Sequence, residues 1–280
     1  MKKLSFEEYR TCLLICLIEF DNFCKKNHLQ YFLVCGTLLG SIRHKGFIPW
    51  DDDIDVAMPF YDYQKMMKMV REEKNYGLST LFKFDTISNN SHRWSVNDCA
   101  LVLNDVTDSN GNKIGIGITP FDKIPENKIL KKFYRLYARA IICIAYSKSL
   151  IGIEKNGLFK KTVKKIINFI YKNVSHVMLE QKLIKFKNYF NNSLKRYNVG
   201  NVSRSNEIHQ LTLPIKTIKC SFETEQFDIP AGYDSMLKEN YGNYLELPPE
   251  SERIHPHDGD VAFCSNDNLY SKIIELTSKR

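Results

Sequence analysis

Four carboxylates in five positions run straight into an apolar strand pattern in this chain: Asp51-Asp52-Asp53-Ile54-Asp55, then Val56-Ala57-Met58. So apolar a continuation reads as a buried strand, and its acidic end must stand where a sheet opens to solvent. On a strand Asp53 and Asp55 flank Ile54 and project to one face. Upstream, His28 to Cys35 reads as a strand (Tyr-Phe-Leu-Val-Cys) that stops at Gly36, and Thr37 to Ile42 as a short helix. Strand, glycine, helix and acid-tipped strand together demand a sheet-based fold with one strongly polar rim.

That rim has the parts of a phosphoryl-transfer site. Paired carboxylates suit Mg²⁺ or Mn²⁺, hard cations that take oxygen ligands and keep phosphates or waters in their remaining positions. Gly36 and Thr37 follow a strand and open a helix, so backbone N–H groups and a hydroxyl can approach a phosphate. Arg43, His44 and Lys45 lie between the glycine and the acids and supply positive charge. An acidic run is more often a solvated loop. Here it abuts a buried-strand pattern, and acids at such a place cost energy unless something compensates them.

Elsewhere, residues 4–27 have helical apolar spacing, and Tyr61 to Glu73 reads as a helix with Asp62 as its cap. Short strands are expected at Phe82–Phe84, Ala100–Asn104 and Ile114–Ile118, with a turn at Asp108–Asn112. The segment 126–196 reads as mostly helical, the chain from Val199 as irregular, and Asn268 onward as a final helix. Strands and helices alternate only in the first 125 residues. The expected fold is therefore α+β, a mixed sheet with flanking helices. Its divisions are a catalytic core over 1–125, a basic helical insert over 126–198, and a C-terminal part over 199–280 that returns to the core.

Charge supports that division. Lys128 to Arg196 holds 17 Lys or Arg against two acids, leaving −7 for the rest of a chain whose formal total is +8. Such a segment suits an anionic partner. On a helix Phe159, Val163, Ile166, Ile167 and Ile170 would form one apolar face beside lysines, so 128–196 is expected to touch a membrane surface peripherally; an ordinary packed helix is the plain alternative. No base-reading motif is present, and nucleic acid is not an expected partner. The longest charge-free apolar stretches, Thr11–Ile18 and Ala140–Ser147, fall well short of the roughly 20 residues of a membrane span. Eight scattered cysteines without a CxxC pair fit a reducing, cytoplasmic setting.

The stretch Cys35-Gly-Thr-Leu-Leu-Gly-Ser-Ile-Arg-His-Lys-Gly-Phe-Ile-Pro-Trp-Asp-Asp-Asp-Ile-Asp-Val-Ala-Met-Pro-Phe-Tyr-Asp-Tyr63 resembles the signature of the LicD family, itself similar to fukutin-type proteins. The tail agrees, from Ile229-Pro230 through Tyr233-Asp234, Tyr241-Gly242 and Leu247-Pro248-Pro249 to Arg253 and His255. The resemblance covers roughly residues 28–70, 114–125 and 225–257. It implies the nucleotidyltransferase fold, with Gly36-Thr37 cradling a phosphate and Asp53 and Asp55 holding the metal. It also implies a transferase that moves phosphocholine or a related phospho-alcohol from a CDP-activated donor, such as CDP-choline, to a cell-surface glycan. That acceptor is a lipopolysaccharide or teichoic acid precursor, free or lipid-linked, met in the cytoplasm or at the inner membrane face.

The fold usually supplies a third carboxylate from an Ile-Asp-Ile-Phe-Pro-Leu-Asp type run. This chain has Ile116-Gly117-Ile118-Thr119-Pro120-Phe121-Asp122, with glycine at the acid's place. The resemblance therefore leaves Asp122, or an acid from elsewhere such as Asp51, to complete the metal site. Asp51 or Asp52 is the expected general base. Arg253 and His255 are expected to reach phosphate or acceptor if the tail folds over the site, and Trp94 is a weaker candidate for stacking on a base or covering choline. Two other readings stay open: a nucleotidyltransferase releasing pyrophosphate, and a degenerate binding module.

Overall fold

A computed structural model describes residues 1–72, 77–85, 99–148, 173–201, 208–209, 211, 213–253 and 261–280. The first elements are β1 (Lys2–Lys3), α1 (Phe6–Asn27), β2 (Phe32–Leu33), α2 (Cys35–Arg43), β3 (Asp55–Pro59) and α3 (Phe60–Arg71). Then come β4 (Phe82–Asp85), β5 (Cys99–Asp108), β6 (Lys113–Pro125), α4 (Lys128–Lys148) and α5 (His176–Ser193). The chain finishes with β7 (Tyr197–Gly200), β8 (Ile208–His209), β9 (Thr217–Phe222), β10 (Glu225–Pro230), α6 (Tyr233–Tyr241), β11 (Ala262–Cys264) and α7 (Asp267–Thr277).

Among the described residues a nine-stranded mixed sheet runs β1-β11-β5-β6-β3-β2, with β4 on β5 and β7 and β8 continuing from β6. The architecture is α+β, as expected. Its axis is the β5–β6 hairpin, turned by Asp108, whose Oδ1 accepts the N–H groups of Asn110 and Asn112 at 2.8 Å each. β3 lies parallel to β6 with Asp55 opposite Gly117. β6 is much longer than the Ile114–Ile118 strand expected, and its later half pairs β7.

The first helix starts with a capping box. Ser5 Oγ accepts from the Glu8 N–H, and Glu8 Oε2 accepts from the Ser5 N–H. Its apolar residues, Leu13, Leu17 and Phe20 among them, share the main core with Val56 and Met58 of β3 and with Ile116 and Ile118 of β6. A second cluster forms where Tyr134, Ala138 and Ile141 of α4 and Leu183 and Phe190 of α5 close over Ile124. The third, with Phe32, Ala57, Phe121 and Met236, lies on the opposite face of β3 and β6.

The C-terminal part is more regular than its sequence suggested. β9 and β10 form an antiparallel hairpin, α6 follows it, and β11 pairs antiparallel with both β5 and β1. The hairpin was missed because its turn residue at positive φ is Glu223, at 54°, a position where glycine or asparagine is the usual signal. Asp62 does not cap α3: Pro59 occupies that position, and Asp62 in the first turn accepts the Gln30 N–H. Among the described residues no helix is long and apolar enough to cross a membrane.

Candidate active site

The acidic run occupies the extended stretch that enters β3, and its residues alternate in direction. Asp51, Asp53 and Asp55 line one cleft of about 730 Å³, whereas Asp52 is buried and Ile54 enters the main core. Across the cleft stand Tyr241, the last residue of α6, and the chain that follows it, including Tyr244, Glu246, Leu247 and Glu252. The tail was expected to fold over the site from its resemblance alone, since nothing in its local pattern points to the acids two hundred residues earlier.

Gly36 and Thr37 lie within the first turn of α2, whose N-cap is Val34. Gly36 lines the cleft for a steric reason: a Cβ there would meet Asp51 Oδ2 at 2.4 Å. A side chain there would make that carboxylate swing away from the helix start. Thr37 is buried, and its Oγ1 accepts the Asp55 N–H at 2.9 Å, tying α2 to the acid-bearing end of β3.

The loop before the acids is held from both sides by residues that the sequence did not single out. Arg10 of α1 donates from Nη2 to the carbonyls of Ile48, at 2.7 Å, and Asp51, at 2.9 Å, and from Nε to Asp51 O at 3.2 Å. Tyr9 Oη donates to Asp52 O at 3.1 Å. From the β9–β10 turn, Glu223 Oε1 accepts the Phe47 N–H at 2.9 Å while Arg280 Nε donates to Glu223 Oε2 at 2.9 Å. The guanidinium groups of Arg10 and Arg280 each lie 5.3 Å from the Phe47 ring. Such clamps fix a loop that would otherwise splay its like charges apart.

Electrostatics singles out Asp51. Burial, with the neighbouring charges of Asp52 and Asp55, pushes the Asp51 carboxyl up to about 6. A group at that value can both accept and release a proton near neutrality. The cations are less uniform. Arg43 lines the cleft and donates from Nη1 to the carbonyls of Tyr244, at 3.0 Å, and Glu246, at 3.1 Å, so it joins the two walls. Burial, aided by Arg43, lowers the His44 pKa, and its ring meets Trp50 edge-on at 6.2 Å. Arg253 lies 5.5 Å from the Trp50 ring and donates to Pro248 O at 2.9 Å, which brings the tail to the site. Lys45 is exposed, at φ 63°, and does not line the cleft.

Asp122 is the residue that the structure does not bring to the acids. It lies in β6 five positions beyond Gly117, roughly 16 Å along the strand and on its opposite face. There it is fully buried and ion-paired with Lys187 of α5 at 2.6 Å. The expectation that Asp122 replaces the missing acid is corrected on this ground: its charge is already met, on the wrong side of the sheet. His255, Trp94 with its neighbours His92 and Arg93, and the apolar face at 159–170 lie outside the described residues.

The cleft's acidic donors are carboxylate oxygens, the ligand type that a hard divalent cation takes. Among the described residues no three acids, histidines or cysteines form a ready-made metal cage. Mg²⁺ is commonly held by one or two carboxylates plus phosphate and water oxygens, and carboxylates are what Asp53 and Asp55 offer in the cleft.

The chain has relatives among known proteins. The sequence profile described as LicD/FKTN/FKRP, nucleotidyltransferase domain, matches residues 28–151. The chain is 31% identical over 271 residues, 92% of its length and 97% of the relative's, to the lipopolysaccharide cholinephosphotransferase LicD of Haemophilus influenzae. A shorter stretch of 58 residues is 33% identical to an uncharacterized protein of Rickettsia prowazekii, covering 21% of this chain and 22% of that one.

Proposed function

Since the chain belongs to the LicD family, we propose that it transfers phosphocholine from CDP-choline to a hydroxyl of a glycan of the lipopolysaccharide or teichoic acid kind. The observation that carries the reading is the cleft that Asp51, Asp53 and Asp55 line together with Gly36 and Arg43. Asp53 and Asp55 would hold Mg²⁺, which when bound offsets the charge of the donor's diphosphate. Arg43, with Nη1 fixed on the tail carbonyls, would turn the rest of its guanidinium to the phosphates.

Asp51 would take the proton of the acceptor hydroxyl, which suits its raised pKa and its place in the cleft; Asp52 faces away and is the weaker candidate. The acceptor oxygen then bonds to the phosphorus that carries choline, the bond from that phosphorus to the bridging oxygen breaks, and CMP leaves with the electron pair. His44, its charged form disfavoured by burial, would brace Trp50 rather than act as a cation, and Lys45 would serve only as a distant positive charge. Arg253 would position the tail wall over the donor, with His255 as a neighbour two residues on. We place the reaction in the cytoplasm, where CDP-activated donors are made.

The test is incubation with Mg²⁺ and a panel of CDP-alcohols, with and without glycan acceptors, followed by assay for CMP and pyrophosphate. CMP release from CDP-choline supports the proposal. Pyrophosphate release from CTP would instead mark a nucleotidyltransferase, and metal-independent glycan binding without turnover a binding module.

A further inference from the structure

We propose that the outer face of α4 docks this protein on an anionic phospholipid bilayer. The inner face of the helix is already used: Tyr134, Ala138 and Ile141 pack against α5 and Ile124. The outer face should then be polar, and it is not. Ile129 is 83% exposed, Phe133 53% and Leu136 60%, and Ala140 is exposed as well. At roughly 100° per residue these four positions fall in one stripe about 60° wide along the helix. Scattered exposed apolar residues need no explanation, but a continuous stripe on one helix marks a surface that meets something apolar.

The charges beside the stripe select the partner. Lys132 and Arg139 border it on one side, with Lys128 next to them, and the 21-residue helix contains no Asp or Glu at all. On the other side Tyr137 stacks with Phe133 and meets Phe186 of α5 at a tilt, with ring centres 4.3 Å apart, so the apolar surface continues without an intervening acid. An apolar stripe edged by cations and aromatics is how a helix lies in the plane of a membrane interface: its side chains enter the acyl boundary while Lys and Arg reach the phosphates. A second copy is a poor occupant, because it would set this cationic helix against itself. The chain's own residues 149–172 carry six lysines and one acid and would add charge of the same sign. The pairing of Asp122 with Lys187 fastens α5 to the sheet, and α4 packs on α5 and on Ile124, so the stripe is presented by a helix anchored to the core.

The experiment uses the full chain and two kinds of vesicle, phosphatidylglycerol mixed with phosphatidylcholine, and phosphatidylcholine alone. The wild type is expected to sediment with the first at low salt, to be released at high salt, and to ignore the second. Replacing Ile129→Gln with Leu136→Gln should weaken that binding by about tenfold or more, and Lys132→Gln with Arg139→Gln should do the same. Neither pair touches the cleft, so CDP-alcohol hydrolysis in solution should be unchanged. Circular dichroism and melting confirm that both variants fold. As an independent measurement, the indole emission introduced by Ile129→Trp should shift to the blue on adding anionic vesicles and be quenched by brominated acyl chains. No sedimentation of the wild type with anionic vesicles, wild-type binding by both double variants, or an unshifted emission in the Ile129→Trp variant would each overturn the proposal. So would a dimer in sedimentation equilibrium that the Ile129→Gln/Leu136→Gln pair dissociates, since that would make the stripe an interface between copies.

Discussion

Asp51 and Asp122 are both drawn away from water, and their surroundings treat them in opposite ways. Asp122, without any exposure, has the Lys187 ammonium at 2.6 Å. Asp51 stands at the edge of an open cleft with Asp52 and Asp55 as charged neighbours, and Arg10 reaches its backbone carbonyl rather than its carboxylate. Burial raises the pKa of both; Lys187 opposes the shift of Asp122 through a direct ion pair, whereas the charge of Arg10 opposes that of Asp51 only as the least of its influences. A carboxylate paired within the fold serves the fold. The carboxylates of the cleft are the ones we propose to meet a charge that comes from outside.

The comparison breaks most visibly if the cleft acids are removed. Asp53→Asn and Asp55→Asn are each expected to lower the rate of CMP release by a factor on the order of 10³, a transition-state charge effect, while the melting temperature holds or rises. Activity near wild type in both variants would mean that these acids serve no cation. Asp122 should behave in reverse. Lys187→Met leaves an unpaired buried charge and is expected to cost about 3–5 kcal/mol, read by denaturant unfolding. Most of that loss should return in the Asp122→Asn/Lys187→Met double variant, with CMP release unaffected. If the double variant folds but loses activity, Asp122 reaches the site after all.

How much of this was legible in the sequence differs from residue to residue. The acid-tipped strand, the glycine before it and the helix between them could be read directly, because alternation and glycine placement are local signals. The reason for Gly36 could not: the Asp51 carboxylate fills the space of its missing side chain, fifteen residues away along the chain. Asp122 was misplaced for a related reason. β6 was expected to end at Ile118, and once it runs to Pro125 an odd number of steps from Gly117 turns Asp122 to the other face. Tyr9, Arg10 and Glu223 left no trace, since their partners are mostly main-chain groups of a distant loop.

Arg10 sharpens the same contrast at smaller scale. Its guanidinium reaches two carbonyls at once, Ile48 O and Asp51 O, and an ammonium cannot reproduce that fork. Arg10→Lys should therefore lower kcat by about tenfold, with KM nearly unchanged, because a misaligned acid slows the chemistry more than it weakens donor binding. A change confined to stability, with normal turnover of the folded protein, would demote Arg10 to a packing role.

The smallest effect, and the one that isolates Asp51, is its contribution to stability against pH. In the unfolded chain its carboxyl titrates near 3.9, whereas in the folded chain it titrates at about 6. The folded state thus holds the proton more tightly, so this group's contribution is most favourable below about pH 4 and declines as pH rises to about 6. Above that it is constant and unfavourable, by about 1–2 kcal/mol after allowance for its partial contact with solvent. Asp51→Asn should remove the decline. Measured in EDTA, the variant should match the wild type in stability at pH 4, gain on it between pH 4 and 6, and keep a fixed advantage at pH 7 and 8. Adding Mg²⁺ should narrow that advantage, because a cation bound by Asp53 and Asp55 stabilises the wild type's ionised Asp51 as well. An Asp51→Asn advantage that is equal at pH 4 and pH 8 would show that the asparagine acts through packing, and that the charge of Asp51 is no burden to the fold.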